Sequence, residues 1–359
     1  MLNFTVGPVM SSHEVRKIGG EQIPYFRTPD FSKIVLENET LLKTFFKAEK
    51  NSRVVFMTGS GTASMEASII NTLNKTDNVL IVNGGSFGHR FCEICATYEI
   101  PFTEIKCVPG ENITAAQLDN IDGTKYTAFL VNLYETSTGV LYDIQLISNF
   151  CKKYNLFLIV DSISSFLCDE FNMEKLGVNV VITGSQKALA LAPGLSLICL
   201  DSQALRRVNE AKIPCYYFDL KKYLSNGERG QTPFTPAVGI ILQLNQRLRD
   251  IQNQGGVDAE IQTTQNRALY FRNAIKGLPF KFFSNHLSNA VTSLCLENDT
   301  ISAYSVFEIL LKEYNIFVCP NGGEFKDKIF RVGHIGDLTF KDYDTLIAAF
   351  KDLQRRKLI

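Results

Sequence analysis

Neither sign of charge is in excess in this chain: 37 Lys and Arg stand against 37 Asp and Glu, for a formal net charge of +0. A protein that neutralises nucleic-acid phosphates carries a basic footprint, and a solvating tail carries an acidic block; both are missing. No apolar run reaches the length that spans a bilayer. The start, "MLNFTVGPVM", lacks the basic residues and the long apolar stretch of a secretory signal. Internal repeats and low-complexity tracts are absent as well. Of nine cysteines, only Cys92 and Cys95 form a C-x-x-C, with no second pair and no helix-capping position of the kind that zinc or redox chemistry uses. The cysteines therefore read as buried, reduced core residues, which points to a reducing, cytoplasmic compartment. No metal site is expected.

What is present is the composition of a globular protein, 45% hydrophobic and 21% charged, in a chain of 359 residues that can bury a large core. "FSKIVLENETLLKTFFKAEK" reads as a long amphipathic helix. After it, the β-like runs "RVVFMTG", "NVLIVNGG", "FTEIKCV", "KYTAFLVNLYE", "LFLIVDSISS", "VNVVITGSQ" and "LSLICLD" alternate with helical patterns such as "TASMEASIINTLN" and "DIQLISNFCKKYN". That alternation predicts an α/β fold with a largely parallel sheet and helices on both faces. The strands are continuous apolar runs, as required when both faces are covered. Beyond about residue 200 two long helical patterns are followed by shorter elements. The reading is a large domain over residues 1–250, including an N-terminal arm, and a smaller α+β domain over residues 251–359.

Open parallel sheets bind ligands outside the carboxyl ends of their strands. "TGSGTAS", "NGGSFG", "YETSTG", "VDSISS" and "TGSQK" all fall at such ends and should converge in space. In the first, Gly59 and Gly61 allow close backbone approach, and Ser60 and Thr62 add hydroxyls at a helix start that suits an anion; a plain glycine turn with a capping hydroxyl accounts for the same residues. Asp161 ends an apolar strand, where a carboxylate serves as base, cap or partner of a buried cation; no His or carboxylate cluster accompanies it, which disfavours a metal. Lys187 lies between "TGSQ" and a second apolar run, and a lysine in such a site gains nucleophilicity towards carbonyls. Its alternative is a surface lysine with a packed stem. Taken together, a phosphate loop, an acid and a lysine match pyridoxal phosphate, whose ring nitrogen needs an acidic partner and whose aldehyde needs an amine. Phe87 is the candidate for stacking on the ring, against a simple core role.

These segments, "GSGTASMEA", "NGGSFGHR", "ETSTGVLYDI", "LIVDSISSF", "GSQKAL", "TPFTPAV" and "FRVGHIGDLT", taken in order over nearly the whole chain, resemble the class V aminotransferases of the fold type I pyridoxal-phosphate superfamily. Within that class, "VLIVNGGSFGHRFCEICATY", "CYYFDLKKYL" and "FRVGHIGDLT" look most like 2-aminoethylphosphonate–pyruvate transaminases, with the alanine–glyoxylate and serine–pyruvate group next. The resemblance implies that Lys187 forms the Schiff base and moves the proton, and that Asp161 pairs with the ring nitrogen. It further implies that Phe87 and Ile163 cover the two ring faces, Thr136 meets the phenolic oxygen, and Ser60, Gly61, Thr62 and Gln186 hold the phosphate. Thr235 would reach the phosphate of a neighbouring subunit in a homodimer with shared sites; otherwise it caps its own helix. Arg331 would clamp the acid group of a small amine or 2-oxo acid substrate. Departures are Val6 in "TVGPV", where relatives often have proline, Leu133-Tyr134 before "ETSTG", and the segment "VCPNGGEFKDK". A cysteine desulfurase or lyase of the same fold is the alternative chemistry, with Cys319 as its only plausible thiol.

Overall fold

The computed structural model describes residues 1–298 and 300–359. Fourteen strands are described: β1 (Leu2–Phe4), β2 (Arg53–Thr58), β3 (Val79–Asn83), β4 (Phe102–Lys106), β5 (Ala128–Asn132), β6 (Tyr134–Glu135), β7 (Val140–Leu141), β8 (Phe157–Asp161), β9 (Val180–Gly184), β10 (Leu195–Leu200), β11 (Phe280–Phe282), β12 (Val291–Leu296), β13 (Ile316–Pro320) and β14 (Phe330–Gly333). The seven apolar runs picked out in the sequence form one sheet, in the order β2-β10-β9-β8-β5-β3-β4. All its strands run parallel except β10, which is antiparallel to both neighbours.

Side-chain alternation explains why the inner runs are apolar throughout. Phe129 and Val131 of β5, with Leu158 and Val160 of β8, enter a core against the helices Pro29–Phe46, Ile144–Tyr154 and Val238–Asn253. Their neighbours Ala128, Leu130, Phe157 and Ile159 enter a second core against Gly61–Thr72 and Ser86–Thr97 on the other face. A strand sandwiched in this way has no face left for polar residues. Fully burying each Val, Leu, Ile or Phe contributes about 1.5–3 kcal/mol, so the sheet forms a rigid platform.

A second sheet, ordered β1-β13-β14-β12-β11, packs with the helices Gly256–Ala274, Ala303–Tyr314 and Phe340–Arg355 around a third core. It corrects one expectation. The N-terminal arm, placed with the large domain on sequence, contributes β1, which pairs parallel with β13 from Leu2↔Ile316 to Phe4↔Val318. The reason is packing: Phe4 is fully buried, with its ring centroid 5.3 Å from that of Tyr343 in the C-terminal core. The arm then leads residues 5–8 back across the carboxyl ends of the first sheet, so both sheets border one crevice.

Candidate active site

Each motif residue is delivered by a short departure from a strand end. β2 ends at Thr58, and three residues later the helix Gly61–Thr72 begins, with Ser60 at its N-cap. The Ser60 side chain makes no capping hydrogen bond, so its hydroxyl and the free N–H groups of the first turn remain available to an anion. A Cβ on Gly61 would come within 2.3 Å of Ile163 Cδ1, so a side chain there would displace Ile163 from its place in the cleft wall. Asp161 is the last residue of β8. Lys187 lies three residues past β9, in a turn pinned by Ser185, whose hydroxyl donates to the Ala192 carbonyl at 2.7 Å.

These residues converge as expected. Ser60, Gly61, Thr62, Phe87, Thr136, Asp161, Ile163, Gln186 and Lys187 all line one cleft of about 190 Å³. Lys187 is 9% exposed, and its ammonium donates to the Val6 carbonyl at 2.7 Å. The N-terminal loop thus lies directly on the lysine. Gly7 holds φ at +120°, and a Cβ there would stand 2.7 Å from Lys187 Cδ, so the loop tolerates no side chain at that position.

The electrostatics suit carbonyl chemistry. Burial lowers the Lys187 pKa to about 8, assisted by the Arg331 charge and opposed by Cys319 and Asp161. Burial raises that of Asp161 to about 7; the Ile163 N–H, which donates to Oδ1 at 2.7 Å, works the other way, and nearby Glu135 adds to the rise. An opposing cation placed against Asp161 would restore its ionised form.

Arg331 stands across the crevice on β14, in the second sheet. Its Nη1 donates to the Thr136 carbonyl at 3.0 Å and its Nη2 to the Pro320 carbonyl at 2.7 Å. The guanidinium is therefore oriented, yet its buried Nε–H has no partner among the described residues. An unpaired buried donor costs about 1–3 kcal/mol, which marks a place for an acceptor. Arg331 also lines a larger outer vestibule of about 710 Å³ with Phe87, Lys106 and Asn321. Cys319 is held in β13 with Sγ 3.2 Å from Arg331 Nη2. A thiol fixed in a strand does not have the mobility a desulfurase nucleophile needs.

Thr235 is the exception. It is exposed, lies outside the cleft, and does not cap a helix of its own chain: the following helix begins at Val238 with Ala237 as N-cap and no side-chain capping bond. The self-capping alternative is thereby removed.

The sequence reading missed several cleft residues. Arg90 reaches into the cleft, donates to Thr62 Oγ1 at 3.3 Å and carries its guanidinium 5.0 Å from the centroid of the Phe87 ring. Ser164 accepts from the Thr136 hydroxyl at 2.8 Å. Fully buried Glu135 accepts from the Phe87 and Gly88 N–H groups at 3.2 and 3.0 Å and from Asn132 at 3.0 Å, so it fixes the turn that presents Phe87. The available signal was a charged residue between two apolar strand runs, which is costly unless fully hydrogen-bonded.

A family model described as Aminotransferase class-V matches residues 25–324. The chain belongs to the class V aminotransferases. They are pyridoxal-phosphate-dependent transferases, and the enzyme shares their fold type I architecture. It is 32% identical over 343 residues to an uncharacterized aminotransferase of Helicobacter pylori, covering 94% of this chain and 89% of that one. To the L-aspartate–glyoxylate aminotransferase of Paracoccus denitrificans it is 28% identical, covering 94% and 86%. To the 2-aminoethylphosphonate–pyruvate transaminase of Vibrio vulnificus it is 25% identical, covering 98% and 96%. Among solved structures, an alanine–glyoxylate aminotransferase from Nostoc sp. superposes with a TM-score of 0.91 at 25% identity, covering 99% of this chain and 95% of that one.

Proposed function

We propose that this aminotransferase moves the amino group of a small, acid-bearing amine to a short 2-oxo acid, glyoxylate or pyruvate, and that it works as a homodimer. The observation that carries the substrate reading is the unpartnered, buried Nε–H of an otherwise anchored Arg331 beside Lys187. A planar, pre-oriented guanidinium suits a carboxylate.

The residues fit pyridoxal phosphate: an uncapped hydroxyl at a helix start for the phosphate, a buried acid for the ring nitrogen, and a buried lysine of lowered pKa for the aldehyde. When bound, the cofactor supplies a carbonyl that condenses with amines and a ring that takes up electrons as the α-proton leaves. Ser60, Gly61, Thr62, Gln186 and Arg90 would hold its phosphate end. Asp161 would keep the ring nitrogen protonated, and Phe87 and Ile163 would fix the ring plane. Lys187, partly neutral near pH 8, can take a proton at Nζ and return it. Arg331 orients the substrate by its acid group, which sets the bond that breaks.

Small α-amino acids are the leading donors, supported by the similarity to aspartate–glyoxylate and alanine–glyoxylate aminotransferases. 2-Aminoethylphosphonate, the first expectation from the sequence, is the second reading; the Vibrio protein supports it, as does Lys106, a second cation lining the vestibule with Arg331. The dimer reading is supported by Thr235, which is exposed and outside its own cleft, and by exposed Tyr25 and Tyr216. The deciding experiment pairs alanine, serine, aspartate and 2-aminoethylphosphonate with glyoxylate and with pyruvate, and measures kcat/KM from the glycine or alanine formed. Failure of every pair would overturn the reading.

A further inference from the structure

The C-x-x-C at Cys92 and Cys95 has no part in amino transfer, and its two thiols have different neighbours. Cys95 is fully buried in the core beneath the helix Ser86–Thr97. Cys92 lies three residues after His89 on the same helix, which puts the two side chains on one face. That face packs against β4, the edge strand of the large sheet, and there Glu104 meets them. One ligand atom from each of His89, Cys92 and Glu104 lies within 4.8 Å of the other two.

We propose that His89, Cys92 and Glu104 bind a single divalent transition-metal ion, with zinc the best match. A zinc centre holds S, N and O donors at about 2.0–2.3 Å, so its ligand atoms stand within about 4 Å of one another. Closing from 4.8 Å needs only side-chain adjustment: His89 is exposed, and its contacts to Asn83 at 3.5 Å and Glu93 at 3.9 Å are long. One sulfur, one imidazole and one carboxylate form a donor set that selects zinc over magnesium or calcium. A thiolate and a carboxylate together balance the 2+ charge. The site also has an outer layer: Asn83 Nδ2 donates to Glu104 Oε2 at 2.7 Å and so fixes the carboxylate.

Three protein donors leave a fourth position for water on the exposed His89 side. None of the three residues lines the inner cleft, and His89 reaches the rim of the outer vestibule. Phe87 occupies the first turn of the same helix. The ion would therefore tie the element that presents Phe87 to the edge strand, whose one strand neighbour among the described residues is β3.

The test uses the holoenzyme, treated with a chelator and then dialysed against zinc at about 10 μM, with bound metal read by elemental analysis. The expected result is one zinc per chain and a raised Tm. Affinity should fall at least tenfold in His89→Ala and in Glu104→Gln, and binding should be lost in Cys92→Ser. Because His89 is exposed, its variant keeps the fold and remains informative if Cys92→Ser does not express. Zinc below half an equivalent, or retention unchanged in both His89→Ala and Glu104→Gln, would overturn the proposal. The readout is metal content, so it stands or falls independently of amino transfer.

Discussion

Replacing Asp161 by Asn separates the proposed catalytic use of this carboxylate from its effect on the fold. In the cofactor-free protein, burial raises the Asp161 pKa from 3.8 to about 7. A carboxylate whose folded value is raised binds its proton more tightly in the native state, so its ionisation destabilises the fold. That cost begins near pH 4, grows as pH rises and levels off above about pH 7. Each tenfold difference in proton affinity is about 1.36 kcal/mol, which puts the full cost on the order of 4 kcal/mol above neutrality and about 2 kcal/mol at pH 5. Asn keeps an oxygen to accept the Ile163 N–H and carries no charge. Cofactor-free Asp161→Asn should therefore melt several degrees above the parent at pH 8, with a smaller gap at pH 5. Activity should move the opposite way: without the charge that holds a proton on the ring nitrogen, amino transfer should fall by at least about a hundredfold. The measurements are Tm by circular dichroism at both pH values and steady-state turnover with saturating cofactor. A variant no more stable than the parent at pH 8, or a gap that does not change with pH, would refute the reasoning.

In cofactor-free protein a mild acylating reagent should modify Lys187 with a midpoint near pH 8, against 10.5 for an ordinary lysine; peptide mapping checks the site, and a first label elsewhere refutes it. Borohydride treatment of holoenzyme should fix the cofactor's mass on Lys187, and Lys187→Ala should lose amino transfer by orders of magnitude while keeping its circular dichroism. Arg331→Lys loses the planar fork and its bonds to Thr136 and Pro320, so kcat/KM should drop about 10- to 100-fold, mostly through KM. If sites are shared between subunits, verified heterodimers of Lys187→Ala and Thr235→Ala chains, each impaired alone, should regain part of the activity; no recovery counts against sharing.

How far the sequence carried depended on the range of the interaction. Six strands of the large sheet were legible because burial on both faces forces continuous apolar runs; β4, at the edge with exposed Thr103 and Lys106, was legible only as a short β-like run after a helix. The cleft residues were legible because polar and glycine-rich turns must follow those runs. What escaped was set by contacts between distant segments. Nothing in "LNF" announces a pairing with Ile316–Val318; it follows from the place left for Phe4 in the C-terminal core. Arg90 and Ser164 lay inside quoted motifs, but their aim depends on how the helix Ser86–Thr97 and the β8 loop dock. Glu104 reads as an ordinary strand glutamate until β4 takes the sheet edge beside Cys92.

The N-terminal loop gives these long-range contacts a chemical consequence. Val6 stands where the family resemblance leads one to expect proline, and proline also offers a carbonyl, so either residue supplies the acceptor for Lys187. The 2.7 Å bond from Lys187 to the Val6 carbonyl engages the amine when it is free of other partners. Condensation with an aldehyde must break that bond, and release must allow it to re-form. The same loop leads from β1 of the second sheet, on which Arg331 also stands. The lysine that would bond the cofactor and the arginine that would hold the substrate are therefore referred to one sheet: Arg331 directly, Lys187 through Thr5 and Val6 of the loop. A shift of that sheet relative to the large one would move the acid clamp and loosen the lysine together. On the proposed roles, substrate grip and amine release would thus be coupled through the packing of Phe4.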